Sequence, residues 1–430
     1  MRNKTITRDI VIIGGGAAGI GAFSKCDPKF SVLLLERDKV LGGILNQCIH
    51  SGFGLHKFKT EMTGPEYANR VESILSDDSG KQIITEATVI EVSRVHEDRE
   101  DTRYNVVYMT PNGIFRVRCR KIIFTTGSYE RSAGNILLNG SRPKGVMPAG
   151  SAQRYINIDG YMPGKKVFIL GSGDIGLIMA RRLTLEGASV LGVAELMSFS
   201  NGLARNITQC LEDFNIPLYL SHTIKKVVGK ETLEKVVIQE VDQNRNFIEG
   251  TEKEFSVDLL LLSVGLIPET SLMKKLGVEI SSVTNGPIVN EQYETNVRGI
   301  YAAGNALHVH DVVDFVSEEG EKAGLEVTSA LITEFNFRRR VSGLIKIEPL
   351  NGIRYTVPQR YSIGGEAFTL RFRSLGVLGS GTVFVTQGDI LLTKKSFISL
   401  NPSLMEEIRI PSVLTKSRRK ITVSYKENSK

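Results

Sequence analysis

The chain has 430 residues, a formal net charge of +7 and 41% hydrophobic residues, with 42 glycines, four cysteines and no tryptophan. That length holds two or three domains with full cores, and the glycine content suits a turn-rich α/β protein. Apolar runs are only strand-length and no basic–apolar leader is visible, so neither a transmembrane span nor secretion is expected, and a cytoplasmic location is.

In chain order, the first element is the apolar run Asp9-Ile10-Val11-Ile12-Ile13, followed by Gly14-Gly15-Gly16-Ala17-Ala18-Gly19 and a helical pattern. A second strand, residues 30–35, ends at Glu36. Strand, glycine turn and helix in this order place a dinucleotide pyrophosphate at a helix N-terminus, where free N–H groups and the dipole favour anions. Residues 83–95 and 104–117 alternate as β-strands around the turn Pro111-Asn112-Gly113, and 121–127 reads as a buried strand ending in Thr125-Thr126-Gly127. A second unit then repeats the pattern. Lys166-Val167-Phe168-Ile169-Leu170 runs into Gly171-Ser172-Gly173-Asp174-Ile175-Gly176, and the next strand ends at Glu195. One such turn is weak evidence; two in strand–turn–helix context argue for two dinucleotides. An acidic side chain at the second strand's end accepts from ribose hydroxyls and repels a 2′-phosphate, so Glu195 favours NADH over NADPH. The plainer alternative for Glu36 and Glu195 is a solvated strand-end carboxylate.

Further on, the strand Leu259-Leu260-Leu261-Leu262 closes the second unit at Ser263-Val264-Gly265, and 299–305 is a strand and turn ahead of a helix over 312–333. From residue 331 to the end there are 17 Lys/Arg against 7 Asp/Glu, a net of +10, so the remainder carries about −3. The asymmetry points to an acidic partner or anionic substrate, or plainly to a solvated basic face. The densest runs, Arg338-Arg339-Arg340 and Lys416-Ser417-Arg418-Arg419-Lys420, lack interleaved aromatics, which excludes nucleic acid as a partner. The expected organisation is a discontinuous first dinucleotide-binding domain (1–150 and 281–335), a second one (151–280) and a small basic β-rich C-terminal domain (336–430). The cysteines Cys26, Cys48, Cys119 and Cys210 are scattered without a CxxC pair, so neither an iron–sulfur cluster nor a zinc site is expected, and a reducing compartment is.

These motifs together resemble the two-dinucleotide flavoproteins that include the disulfide reductases and NADH oxidases, over roughly residues 8 to 335. The resemblance implies two Rossmann-like domains, with FAD held by Gly14, Gly16, Ala17, Ala18, Gly19, Glu36, Arg37, Gly42, Gly43, Val89, Thr126, Gly127, Gly304, Asn305 and Asp311. It implies NAD(H) held by Gly171, Gly173, Asp174, Ile175, Gly176, Glu195 and Gly265. Asn305 stands where the family usually has an aspartate; it keeps a hydrogen bond but brings no charge. The disulfide reductases carry a redox cysteine pair after the Gly-Gly at the flavin. Here the stretch Gly42-Gly43-Ile44-Leu45-Asn46-Gln47-Cys48-Ile49-His50 holds one thiol, which cannot cycle as an internal disulfide.

The phrase from Gly304 to Glu319, and Arg354-Tyr355-Thr356-Val357-Pro358-Gln359, are similar to the flavin subunits accompanying glycerol-3-phosphate dehydrogenases and to small subunits of opine and amino-acid dehydrogenases. That resemblance implies an electron-transferring subunit of a multisubunit dehydrogenase, with a substrate-oxidising partner and a small cysteine-rich electron carrier. A stand-alone NADH oxidase and a scaffold with structural FAD are the alternatives. Candidate catalytic residues are Cys48, His50, His308 and His310, because histidines near a flavin can donate to the reduced ring or move a proton; packing histidines and an inert thiol are the plain readings. Asp311 and Asp314 read as an N-cap and acidic first turn of the following helix. No metal is expected at His308 and His310, for want of a third ligand nearby.

Overall fold

The computed structural model describes residues 6–75, 80–95, 103–336, 343–411 and 418–428. The run Arg338-Arg339-Arg340 and the Lys416-Ser417 start of the second basic run lie outside them. The chain falls into two units, one of Met1–Asn46, Ser51–Ser128 and Pro268–Lys430, the other of Gln47–His50 and Tyr129–Ile267. The main divisions therefore fall at 128/129 and 267/268, against the limits 150/151 and 280/281 expected from the sequence. The C-terminal β structure belongs with the first unit.

In the first unit, five parallel strands are ordered Lys81–Ile84, Val32–Leu35, Ile6–Ile13, Gly113–Phe124 and Ile300–Ala302. Numbered by sequence, that is the 3-2-1-4-5 order of a dinucleotide-binding sheet. Its strands are continuous apolar runs because both faces are covered. Val11 and Ile13 enter one core with Val117, Ile122 and Ile300, while Ile10 and Ile12 enter another with Phe23, Val327 and Leu331. The long Gly113–Phe124 strand also turns antiparallel to Tyr104–Thr110, which pairs with Thr88–Arg94, giving the expected β-rich insertion.

Helix Val313–Asn336 lies against helix Ala17–Lys25 at backbone contact. A Cβ on Gly320 would fall 2.0 Å from the Ala18 carbonyl oxygen, and one on Gly324 would fall 2.3 Å from that of Ala22. Glycine is poor for helix propensity, yet only glycine lets these two helices approach so closely. The remainder of the unit is a β-sandwich, with a five-stranded sheet ordered Arg360–Ser362, Leu344–Leu350, Ile421–Glu427, Gly381–Gln387 and Ile390–Phe397. Its three-stranded sheet is Ile353–Val357, Phe368–Ser374 and Glu406–Ile410. Leu370, Phe372, Val383, Val385 and Val423 fill its core.

The second unit is a parallel sheet ordered Val146–Pro148, Leu259–Leu262, Lys166–Leu170, Ser189–Ala194 and Leu218–Tyr219. A three-stranded antiparallel sheet, His222–Gly229, Leu233–Glu240 and Lys253–Ser256, accompanies it. The fold is α/β with two Rossmann-like sheets and a β-rich C-terminal part. Among the described residues, no helix is long and apolar enough to cross a membrane.

Candidate dinucleotide-binding sites

The first glycine turn is held from three sides. Gly14 adopts φ +105° and passes so close to Thr125 that a Cβ would sit 2.4 Å from its carbonyl oxygen. The Thr125 hydroxyl donates to the carbonyls of Ile13 and Gly14, at 3.0 and 2.8 Å. Gly42 donates its N–H to the Gly15 carbonyl (2.9 Å), which brings the Gly42-Gly43 pair onto the turn. Gly16 is the exception. A Cβ there would meet nothing within 4 Å, and Gly16 caps helix Ala17–Lys25 with no side-chain hydrogen bond. An open flank beside uncapped helical N–H groups fits a pyrophosphate.

The second turn is built the same way. Gly171 has φ +96° and its Cβ would fall 2.1 Å from the Ser263 carbonyl oxygen. Ser263 Oγ accepts from Gly176 N (3.1 Å) and lies 3.4 Å from the Gly173 carbonyl as donor. Helix Asp174–Leu185 starts at Gly173, again with no side-chain cap. Asp174, in its first turn, would repel an anion there, but its Oδ1 accepts from Leu203 N and Asn206 Nδ2. Ile175 packs partly buried against the unit's core, and Gly265 takes φ +99°. Thr125 and Ser263, hydroxyl residues at the ends of equivalent strands, are visible in the sequence as strand ends but carry no expected role there. Their signal was positional: each follows the strand directly beside its glycine turn.

Both strand-end carboxylates are buried rather than solvated. Glu36 Oε2 accepts from Gly15 N (2.5 Å) and Oε1 from Asp38 N (2.8 Å). Glu195 Oε2 accepts from the backbone and hydroxyl of Ser172 (2.9 and 2.6 Å), and Oε1 from Met197 N (2.9 Å). Each thus braces its own glycine turn, and each still has acceptor capacity left for a hydroxyl. Arg37 is exposed beside Glu36. Val89 lies on the strand entered through Ala87, whose N–H meets the Glu36 carbonyl (2.8 Å). Thr126 donates from Oγ1 to the Glu269 carbonyl (2.9 Å), and Gly127 follows with φ +70°.

Cys48 and His50 belong with the second unit. The Cys48 thiol is buried 3.8 Å from Gln153 Oε1, and burial pushes it up to about 12. Cys26 is pushed up to about 12 as well, chiefly by burial, and burial raises Cys119 and Cys210. All four thiols are free and buried. Burial and then Arg205 lower His50 below the usual histidine value. His308 and His310 lie in the first unit, in the loop between strand Ile300–Ala302 and helix Val313–Asn336.

That loop differs from expectation. Asp311 precedes the helix by two residues and does not cap it: its carboxylate meets Arg373 and accepts from Met405 N (2.6 Å). Asp314 accepts from the backbone of Gly54 and Lys57. Asn305 Oδ1 accepts from His310 N (3.1 Å). The helix also supplies the third group missing from the metal argument, Glu319, whose Oε2 lies 3.1 Å from His308 Nε2 and 3.5 Å from His310 Nε2. These three buried groups are close enough to hold an ion. Arg371 Nη1, 3.0 Å from the same Oε2, already supplies the countercharge. Burial acts to raise the Glu319 carboxyl, but His310 and His308 hold it well below the carboxylate range; burial lowers His308 to about 4.

Comparison with known proteins agrees with this geometry. A family model described as pyridine nucleotide-disulphide oxidoreductase matches residues 8–323. The "NADH oxidase" of Methanocaldococcus jannaschii is 27% identical over 323 residues, 72% of this chain and 64% of that protein. The "NAD(P)H coenzyme A polysulfide/persulfide reductase" of Pyrococcus horikoshii is 25% identical over 72% of this chain and 65% of its own length. This chain therefore spans just under two thirds of either relative. Among solved structures, thioredoxin reductase from T. acidophilum shares the fold at a TM-score of 0.60 and 23% identity, over 76% of this chain and 99% of that one. The family match takes in both glycine turns, both buried carboxylates and Gly304, and on that ground the chain belongs to the pyridine nucleotide-disulphide oxidoreductase family.

Proposed function

We propose that this chain is a FAD-dependent NAD(H) oxidoreductase, working as the electron-transferring subunit of a multisubunit dehydrogenase of the glycerol-3-phosphate type. The observation that carries the flavin and nicotinamide chemistry is the pair of glycine turns, each with a close-packed wall and an uncapped helix start. FAD, when bound, accepts hydride and can release electrons singly. The chain's own part is to seat FAD at Gly14–Gly19, Glu36 and Gly304, and NADH at Gly171–Gly176 and Glu195. Scattered, buried thiols support a route that passes electrons to a partner instead of an internal disulfide. The β-sandwich after residue 343, beyond the family match, is the proposed docking domain for a substrate-oxidising subunit and a small cysteine-rich carrier. Glu195 supports NADH over NADPH.

A second reading, a stand-alone NADH oxidase reducing oxygen, is favoured by the name of the M. jannaschii relative. Anaerobic titration of the FAD-loaded protein with NADH, then NADPH, tests the core of the proposal through bleaching of the flavin. No bleaching by either refutes it. Rapid reoxidation by air, with hydrogen peroxide or water formed at the full turnover rate, favours the oxidase. Slow reoxidation favours the subunit.

A further inference from the structure

The sandwich carries no glycine fingerprint, yet it reaches into the loop that bears Gly304, Asn305 and Asp311. Strand Phe368–Ser374 places alternate side chains on opposite faces. Leu370 and Phe372 fill the sandwich core, so Arg371 and Arg373 emerge together on the other face. Both are largely buried, with side-chain exposures of 4 and 11%. A buried guanidinium is costly unless its N–H groups are met.

Those of Arg373 are all met. Nε donates to Tyr355 Oη (3.0 Å) and Nη1 to the carbonyls of Pro402 (3.0 Å) and Ser403 (2.6 Å). Nη2 donates to the Val309 carbonyl (3.2 Å) and to Asp311 Oδ1. Five donors meet five acceptors, three from the sandwich and two from the loop. Asp311 Oδ2 closes the circuit through Met405 N. Two residues along the same strand, Arg371 meets Glu319, and the other Glu319 oxygen accepts from Gly304 N (2.7 Å). The sandwich thus holds both ends of the loop, Gly304 through Glu319 and Asp311 directly.

We propose that Arg371 and Arg373 are positioning residues through which the C-terminal domain sets the flavin-facing loop 304–312, and with it FAD affinity and the flavin's reduction potential. This rests on the reading of Gly304, Asn305 and Asp311 as FAD contacts. It makes the sandwich part of the flavin site as well as a docking domain. Lysine cannot replace Arg373, because one ammonium cannot reach five acceptors spread around a planar fork.

The test compares the full-length protein with Arg373→Lys, Arg373→Gln and Tyr355→Phe. FAD affinity is read by quenching of flavin fluorescence, the midpoint potential by dye equilibration, and folding by circular dichroism. Arg373→Lys and Arg373→Gln are expected to weaken FAD binding on the order of tenfold and to move the potential. Tyr355→Phe frees only Nε, and should move both in the same direction by less; it serves if the Arg373 variants do not fold. Folded variants that melt earlier but keep wild-type FAD affinity and potential would overturn the proposal. Wild-type protein that takes up no FAD overturns the reading beneath it as well, which separates the two failures.

Discussion

Replacing Gly320 by alanine sets two physical effects against each other, and the structure decides between them. In an exposed helix interior the change adds about 1 kcal/mol of stability, because alanine is the better helix former. In this helix the new Cβ would lie 2.0 Å from the Ala18 carbonyl oxygen. Ordinary contact begins at 3.4 Å, so the helices must part by about 1.4 Å. The atom met is backbone, which no rotamer change can move aside. Overpacking of this kind costs up to about 3 kcal/mol. The net expectation is a loss of about 2 kcal/mol in the first unit. Function should suffer with it, since Ala18 sits in the first turn of the helix that starts at Gly16. Urea denaturation of Gly320→Ala, followed by circular dichroism, gives the stability, and flavin content after dialysis gives the functional readout. A variant as stable as wild type or more so, with full FAD retention, would show that propensity governs and that the helices part at little cost.

Other outcomes are equally specific. Glu195→Ala should raise the KM for NADH on the order of tenfold, since it removes a charge-assisted acceptor, and should narrow the preference over NADPH; an unchanged ratio of kcat/KM values would count against a ribose contact. Iodoacetamide should label few of the four buried thiols in native protein at pH 8 and all of them in guanidinium, because burial keeps each one protonated; fast native labelling would refute this. His308 is held near 4 against an ordinary 6.5, so the unfolded chain binds its proton first as pH falls. Its contribution is full above pH 6.5 and is lost as pH falls toward 4, with at most about 3 kcal/mol at stake. Urea midpoints measured from pH 7 to 4.5 should fall with acidity, less steeply in His308→Gln; parallel slopes would show that His308 is not the group involved.

Much of the nucleotide architecture was legible from local pattern. Strands 10–13 and 166–170, the glycine turns and the acidic residues after the second strands are short-range signals, because a tight turn with positive φ and an unobstructed helix start each demand glycine whatever surrounds them. Domain limits were partly legible: the chain crosses between the units just after Gly127 and at Pro268, close to the turns at 125–127 and 263–265, while the limits at 150 and 280 fall inside a helix and past the crossing. The expected cap at Asp311 gave way for a different reason: a carboxylate that caps a helix locally binds just as well to a buried guanidinium, and here Arg373, 62 residues away, competes for it.

The sequence by itself determined the two dinucleotide units and the β-rich basic tail, because each is specified by residues that are neighbours along the chain. Tertiary structure alone decided that the tail grips the loop 304–312 through Arg371 and Arg373, that Glu319 joins His308 and His310, and that Gly320 and Gly324 serve a helix crossing. Those facts depend on which distant backbones come within a few ångströms of one another, and no local pattern of propensity or hydropathy encodes that distance.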